Sequence, residues 1–223
     1  MKNNIITIVL IGAFLTISTY GKAQVTNWGS LAEDQRHILQ LNVGLNYGTI
    51  VGIGYGYKLN AFVPIVLNME YSFPTGKNLF DDFKTKIGGQ VQVVQAGHFA
   101  TALNVHGIFR RYKTDAAALS NWGGEFSIDL GYYKSTWFVA GGIGFDKAVI
   151  THVKNGDYLQ EYYPGIHDGW YIPTGGNFFY GVQSGFSFRR NDVSLKVGKT
   201  ITQDFKTSPL LPFYTELGFS HRI

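Results

Sequence analysis

Two short acidic stretches carry residue types that could activate a water molecule. Asp81 and Asp82 are adjacent in one polar stretch, and His167 is followed directly by Asp168 in another. A carboxylate pair beside a His–Asp couple, with the couple as general base, is an arrangement that can drive hydrolysis. Two-residue matches of this kind arise easily by chance. The sequence therefore does not favour catalysis, and we expect no enzymatic activity.

The other candidates for catalysis or ligation are isolated from one another. His106, Ser127 and Ser184 supply a base and two hydroxyls, but no motif joins them. The six histidines show neither HxxxH nor HxH spacing, which argues against a metal site. The glycine-rich run at 52–56 lacks the helix and the lysine of a phosphate-binding loop. We expect no catalytic residues, no metal and no cofactor.

Along most of the chain, apolar residues alternate with small or polar ones with a period of two. Strands must therefore position these side chains. Along 177–189, large apolar residues such as Phe178, Val182 and Phe186 alternate with small or polar ones. This period places the two sets on opposite faces of a strand. Ten such strands are predicted, at 37–47, 51–59, 62–73, 83–93, 99–111, 121–133, 136–150, 177–189, 192–202 and 213–223. Their polar faces carry the charges that we expect to pair in an interior network: Glu70, Lys86, His106, Arg110, Glu125, Asp129, Asp146, Arg189, Lys196, Glu216 and Arg222.

The N-terminus has the features of an export signal. Lys2 precedes an apolar run at 5–18 that is too short to span a bilayer as a helix. The small residues Gly21 and Ala23 predict cleavage before Gln24. We therefore expect a signal peptide at 1–23, a periplasmic lead-in at 24–36, and one β domain at 37–223.

The composition argues against several classes of protein. Without Lys2 and Lys22, Lys plus Arg falls from 19 to 17 against 15 acidic residues, and no basic stripe marks a nucleic-acid surface. The chain has no cysteine, so no disulfide stabilises it. Charged residues make up 15%, below the roughly 25% of soluble domains, while aromatic residues reach 16%. After the signal, no stretch reaches the ~20 apolar residues of a membrane helix. Such a composition is typical of a membrane β-barrel.

The connections between the predicted strands alternate between short and long from the second strand on. This alternation is typical of outer-membrane barrels, which have short periplasmic turns and long external loops. The first hairpin decides the strand count. A three-residue connection at 48–50 gives ten strands, fusing this hairpin gives nine, and merging a further pair gives eight.

The apolar faces could be covered either by protein or by lipid. A two-layer sandwich would bury them against a second sheet. A barrel needs no second layer, because its outer face meets acyl chains and its closed sheet pairs every backbone group. We expect an all-β, transmembrane, antiparallel up-and-down barrel of about ten strands. Its lumen would be charged and largely filled, which suits a structural or narrow-pore role.

In its strand pattern, its signal and its closing strand at 212–223, PFYTELGFSHRI, the chain resembles the small OmpA/OmpX-like and porin-like β-barrels of Gram-negative bacteria. The resemblance implies an outer-membrane location, contact with lipid and lipopolysaccharide, and insertion by the barrel-assembly machinery. Such families usually end in an aromatic residue, whereas this chain ends in Ile223, with Phe219 the nearest aromatic. The signal ending at 22–24, KAQ, looks like that of exported proteins of Bacteroidota.

Two alternative functions follow from the predicted outer loops. The segment 151–176 is the longest expected loop, and it could bind a glycan, a phage or a host surface, or simply pack over the barrel mouth. Its expected ligand contacts are Tyr162, Tyr163, His167, Asp168, Trp170 and Tyr171. The other alternative is a barrel enzyme. Omptin proteases place two acidic pairs with a histidine near their loop ends, although the His–Asp order is reversed here, and lipid A-modifying barrels use Ser/His sets. The sequence names no extracellular ligand.

Overall fold

The computed structural model describes residues 26–46, 48–75, 81–162, 165, 167–173, 175–206, 209 and 211–223. They form β1 (His37–Leu45), β2 (Thr49–Leu59), β3 (Ile65–Pro74), β4 (Asp82–Ala96), β5 (Phe99–Lys113), β6 (Ala117–Tyr133), β7 (Trp137–Asn155), α1 (Asp157–Tyr162), β8 (Gly169–Tyr171), β9 (Gly176–Phe188), β10 (Asn191–Thr202) and β11 (Phe213–Arg222). The predicted signal peptide and the expected loop contact Tyr163 lie outside the described residues.

Ten of the strands close into one antiparallel barrel. Each strand from β1 to β7 pairs with the next, β7 pairs with β9, and β9, β10 and β11 follow in order. The ladder from Ile38–Arg222 to Leu45–Thr215 joins β1 to β11, so the ten-stranded sheet closes on itself. The extra strand β8 pairs with the end of β7. The predicted all-β, ten-stranded up-and-down barrel is confirmed.

The first hairpin consists of two separate strands, which excludes the nine-stranded count, and the ten strands of the closed sheet exclude eight. Leu45 pairs with Thr49, so residues 46–48 make the connection, and the position predicted at 48–50 was wrong. The strand predicted to begin at Phe62 begins instead at Ile65. Pro64 precedes it, and proline has no backbone N–H to offer to a ladder.

The hairpin of β6 and β7 is longer than the sequence predicts. Its ladder continues to the pair Ala117–Asn155, so the expected loops at 112–120 and 151–176 are largely replaced by ordered structure. Between β7 and β9, α1 and β8 occupy much of the segment expected to be irregular. Continuing the ladder satisfies the backbone N–H and C=O groups that a loop would leave to water.

The two faces of the barrel wall are inverted relative to those of a soluble protein. Large apolar side chains on the outer face are exposed, Ile143 to 63% and Phe186 to 71%. Polar side chains on the inner face are buried, among them Gln40, Asn42 and Glu125. A two-layer sandwich would bury the apolar face, so this alternative is excluded.

The barrel has two unlike ends. At the turn end, the strands are joined by residues 60–64, 97–98, 134–136 and 189–190, and β1 begins and β11 ends there. At the loop end, the connections are 46–48, 75–81, 114–116, 156–175 and 203–212. From β2 onward, connections at the turn end alternate with those at the loop end.

Candidate functional site

A cluster of charged side chains occupies the middle of the barrel interior. Lys86 Nζ donates to both carboxylate oxygens of Glu125, at 2.8 Å and 2.7 Å, and both side chains are buried. His106 Nδ1 lies 3.7 Å from Glu125 Oε1, and His106 Nε2 lies 2.9 Å from Asn68 Oδ1. The strand register creates this cluster, because it sets Glu70 opposite Lys86 on β3 and β4 and His106 opposite Glu125 on β5 and β6.

Ten of the eleven predicted network residues lie on the inner face of the wall, in two groups. In the middle and at the turn end, seven are buried on the inner face: Glu70, Lys86, His106, Glu125, Lys196, Glu216 and Arg222. Three others are half-buried on the same face: Arg110, Asp129 and Asp146. Asp129 accepts a hydrogen bond from Asn104 Nδ2 at 2.7 Å, which connects it to the interior amides.

The structure does not place Arg189 in the interior, so that assignment was wrong. Arg189 is exposed in the two-residue turn between β9 and β10, with φ of 55°. Alternation ends where a strand ends, and a two-residue hairpin turn requires positive φ at one or both of its central residues. Its carbonyl oxygen still accepts a hydrogen bond from Arg222 Nη2 at 3.3 Å.

Arg222 anchors the turn end of the interior. Its guanidinium donates to Asp192 Oδ1 at 3.2 Å, to Gln35 Oε1 at 3.2 Å and to the carbonyl oxygen of Ser30. Two of these acceptors belong to the segment before β1. Arg222 therefore connects β11, the last strand of the barrel, to the segment that precedes β1.

The segment expected to be a lead-in folds into the turn end of the barrel; we call residues 26–35 the N-terminal plug. Asn27 is 2% exposed and donates to Lys134 O at 3.0 Å and to Ser187 Oγ at 2.7 Å. Thr26 Oγ1 donates to Gln90 Oε1 at 2.9 Å. Sequence reasoning missed this contact. The signal that could have found it is Trp28, a lone large aromatic in a polar stretch.

Trp28 and Gly29 fit the plug against the barrel wall. Trp28 packs against an interior apolar cluster that includes Tyr133 and Phe138, whose rings stack with centroids 5.8 Å apart. A Cβ atom on Gly29 would lie 2.7 Å from the carbonyl oxygen of Tyr133, closer than real Cβ contacts. Only glycine lets the plug backbone approach the wall this closely.

Gly29→Ala is expected to displace the plug. The chain has no cysteine, so Thr26→Cys, at a buried position, provides a unique thiol whose maleimide labelling reports plug opening. We expect slow labelling with Gly29 present, and a rate in the Gly29→Ala background that approaches that of the exposed control Glu33→Cys. Equal, slow labelling of Thr26→Cys in both backgrounds would show that the plug tolerates the methyl group.

The loop end of the interior opens into a cavity of about 680 Å³, which we call the mouth cavity. Arg110 lines it and pairs with Asp82 at 3.4 Å. Asp146 lines it as well and accepts from Asn177 Nδ2 at 2.9 Å. These two network residues therefore belong to the mouth and not to the central cluster.

The residues considered for catalysis engage other partners in the structure. Asp82 pairs with Arg110 and Asp81 with Lys113, at 3.4 Å and 3.7 Å. Asp168 Oδ1 accepts from the backbone N and the side chain of Asn155, at 2.8 Å and 3.0 Å. Of the hydroxyls considered with His106, Ser184 is exposed on the outer face, while Ser127 Oγ accepts from Asn104 on the inner face.

The expected loop contacts form two separate aromatic groups. On α1, Tyr162 is exposed and its ring centroid is 4.7 Å from that of Tyr158. On β8, Trp170 packs against His152 of β7 and Trp122 of β6, with centroids 4.7 Å and 5.4 Å apart. The hydroxyl of Tyr171, on the same strand, donates to the carbonyl of His167 at 3.2 Å.

No protein-family model matches this chain, and no curated protein matches it significantly. Among the residues that the structure describes, no three or more His, Cys, Asp or Glu side chains lie where they could hold a metal ion together. In the same part of the chain, no helix has the length and apolar character needed to cross a membrane.

Proposed function

We propose that this chain is an integral outer-membrane β-barrel of the small OmpA/OmpX-like or porin-like kind, from a Gram-negative bacterium of the Bacteroidota, with a structural, non-catalytic role. The observation that carries the proposal is the inverted burial of the closed sheet. Each large apolar side chain left in water forfeits about 1.5–3 kcal/mol. Surrounding hydrocarbon removes this cost, and a closed ladder leaves no strand backbone group in need of water.

Two bands of aromatic side chains on the outer face support a membrane location. Near the loop end, the rings of Tyr71, Phe83, Phe109 and Trp122 follow one another across β3 to β6, with neighbouring centroids 5.4, 5.7 and 5.0 Å apart. Near the turn end, Phe99, Tyr132 and Trp137 do the same across β5 to β7, at 5.0 and 5.5 Å. Aromatic girdles at both interfaces are characteristic of outer-membrane barrels.

The spacing of the two bands fits a membrane. Phe99 and Phe109 belong to different bands and lie ten residues apart on β5. At about 3.3 Å per residue and a strand tilt of about 40°, this places the bands about 25 Å apart. That separation equals the height of the apolar belt of outer-membrane barrels, about 25 Å.

The filled interior supports a structural role over that of an open pore. A ten-stranded barrel has little room beyond its own side chains, going by the growth of diameter with strand number. Here the Lys86–Glu125 pair and its neighbours occupy the middle, and the N-terminal plug occupies the turn end. A solute that moved along the barrel axis from the loop end would therefore meet the charged side chains of the central cluster and then the backbone of the N-terminal plug.

We also propose which molecules surround the barrel and which engage it during insertion. Lipid and lipopolysaccharide would contact the outer face, and the turn end would lie in the periplasm. During insertion, the barrel-assembly machinery would engage β11, the strand that closes the sheet against β1. No nucleic-acid partner is proposed, because the outer face of the wall is apolar.

Cell fractionation with gel migration before and after boiling tests the membrane location. We expect the protein in the outer-membrane fraction, with faster migration in SDS before boiling, because folded barrels resist SDS until they are heated. Recovery in the aqueous phase after detergent extraction would overturn the proposal. Planar-bilayer recordings test the closed interior, and steady conductance steps from the purified protein would replace the structural role with that of a pore.

A further inference from the structure

The outer face of the barrel wall carries charge of one sign, and only toward the loop end. In the barrel strands that the structure describes, outward positions hold no aspartate or glutamate, and the acids at the strand ends point inward, where Asp82 pairs with Arg110 and Asp146 accepts from Asn177. The outward positions near the turn end hold no lysine or arginine either. The outward cations lie on β5, β7 and β10: Arg111, Lys113, Lys147, Lys154 and Lys199.

Two of these cations flank Trp122 in the aromatic band near the loop end. Phe109 pairs with Trp122 across β5 and β6, and Arg111 is the next outward residue of β5. On the other side, Lys147 of β7 pairs with Gly124, the next outward residue of β6. Both cations are therefore diagonal neighbours of Trp122, about 7–8 Å away, a separation that long side chains span.

Arg111 and Lys147 have no acidic partner on this surface. Across the ladders, Arg111 lies opposite Phe83 and Ser120, and Lys147 lies opposite a glycine on each side. Within the described part of the chain, neither cation forms an ion pair. Their charges are therefore left for a partner outside the protein.

The other outward cations have different surroundings. Lys113 pairs with Asp81 at 3.7 Å. Lys154 is followed three residues later by Asp157 of α1. Lys199 lies on β10, which β9 separates from β7. The unpaired positive charge beside the aromatic band is therefore that of the two residues around Trp122.

The depth of these two cations in the proposed membrane selects the partner. Tryptophan and tyrosine side chains sit at the level of the lipid headgroups, so the band at Trp122 places Arg111 and Lys147 near that level. A basic residue on the lipid-facing wall is destabilising at the bilayer midplane and tolerated at the interface. The anions available at this depth are the phosphates of lipid headgroups, which accept strong, charge-assisted hydrogen bonds from lysine and arginine.

We propose that the outer face around Trp122 binds a lipid with an anionic phosphate headgroup, with Arg111 and Lys147 contacting the headgroup from either side and the indole packing against the start of an acyl chain. The site depends on the membrane location proposed above, and it adds a lipid class and a side of the membrane to that proposal. Anionic lipid would be enriched around the loop end and not around the turn end.

Quenching of tryptophan fluorescence by brominated acyl chains tests this site in the full-length, folded protein. The chain has four tryptophans, and replacing three of them with phenylalanine leaves either Trp122 or, as the matched turn-end reporter, Trp137. These two side chains are 40% and 36% exposed. Each reporter is placed in phosphatidylcholine vesicles that contain the same fraction of brominated phosphatidic acid or of brominated phosphatidylcholine.

We expect phosphatidic acid to associate with the surface at Trp122 at least about fivefold more strongly than phosphatidylcholine, since each basic residue at an anionic surface contributes about that factor. Trp137 should be quenched equally by the two lipids. Equal quenching of Trp122 would overturn the lipid site and leave the membrane location intact. If neither lipid quenches either reporter, the membrane location fails as well. A preference for phosphatidic acid of the same size at Trp137 would overturn the assignment to the loop end.

Variants of the Trp122 reporter localise the headgroup. Arg111→Gln and Lys147→Gln should each lower the preference severalfold, and the double variant should remove it, whereas Arg189→Gln, at an exposed cation of the turn end, should leave it unchanged. Gel migration before boiling verifies the fold of each variant. A preference retained in the folded double variant, or lost in Arg189→Gln, would overturn the site.

Inorganic phosphate separates the lipid from the free ion as the ligand. At equal ionic strength, added phosphate and added chloride should weaken the preference of Trp122 for phosphatidic acid equally, because both act by screening. A larger loss with phosphate would show that the free ion competes for the two cations, and it would overturn the assignment to a lipid.

Discussion

Replacing Lys86 with methionine is expected to lower the free energy of unfolding by about 3–5 kcal/mol, the usual cost of breaking a buried ion pair by removing one partner. Lys86 Nζ donates to both oxygens of Glu125, and the two side chains are only 6% and 3% exposed. Without the ammonium group, the carboxylate remains buried among Glu70 and the other interior acids. Urea unfolding of the barrel folded in lipid vesicles measures the change.

The chain offers a matched control for this substitution. Lys113 pairs with Asp81 at 3.7 Å, but the two side chains are 50% and 32% exposed. Lys113→Met should therefore change the free energy of unfolding by only about 0.2–1 kcal/mol. The double variant Lys86→Met/Glu125→Gln should recover part of the loss, since both charges are then removed. Equal effects of Lys86→Met and Lys113→Met would mean that the central cluster is hydrated and does not fill the interior.

Val182→Arg is expected to destabilise the barrel in lipid by about 2–4 kcal/mol, as basic residues do at the bilayer midplane of outer-membrane barrels. Val182 lies in the middle of β9, paired with Gly141 on one side and Val197 on the other, and it is 51% exposed on the outer face. In a membrane, the arginine would replace a methyl-bearing side chain in contact with acyl chains. Folding titrations in lipid vesicles measure the loss.

Phe62 provides the comparison for Val182. It is also apolar and fully exposed, but it lies in the 60–64 connection at the turn end, outside the strands. Phe62→Arg should cost about 1 kcal/mol or less, because basic residues near the interfaces are tolerated. If Val182→Arg is as mild as Phe62→Arg, the outer face meets water and the membrane proposal fails.

Membrane location and closure of the interior are separate properties of the barrel. The outer face determines whether the protein resides in a membrane, and Val182→Arg tests this property. The interior determines whether solutes pass through the barrel. Substitutions of Lys86, of Glu125 and in the N-terminal plug test this property. A barrel can be embedded in a membrane and still be closed.

Much of the fold could be predicted from the sequence because a strand leaves a strong local signal. The period of two along 177–189 assigns Val182 to one face and Gln183 to the other, and the same rule holds on the other barrel strands up to the β-bulges at Val93 of β4 and Val149 of β7. The strand count of ten and the alternation of turns and loops from β2 onward follow from turn residues between periodic segments. The ends of strands were less predictable. Alternation stops there, and Arg189 was assigned to the wrong environment for that reason.

The sequence by itself determined the all-β class, the two faces of most of the strand segments and most of the charges that share the inner face, because these depend on local periodicity alone. Only the tertiary structure decided which charges meet, since Lys86 and Glu125 are brought together by the stagger of β4, β5 and β6. It also decided that residues 26–35 enter the barrel, because Thr26 and Asn27 contact residues more than sixty positions away in the chain. Long-range register and chain packing leave no periodic trace in a single sequence, and both ends of this barrel are built from them.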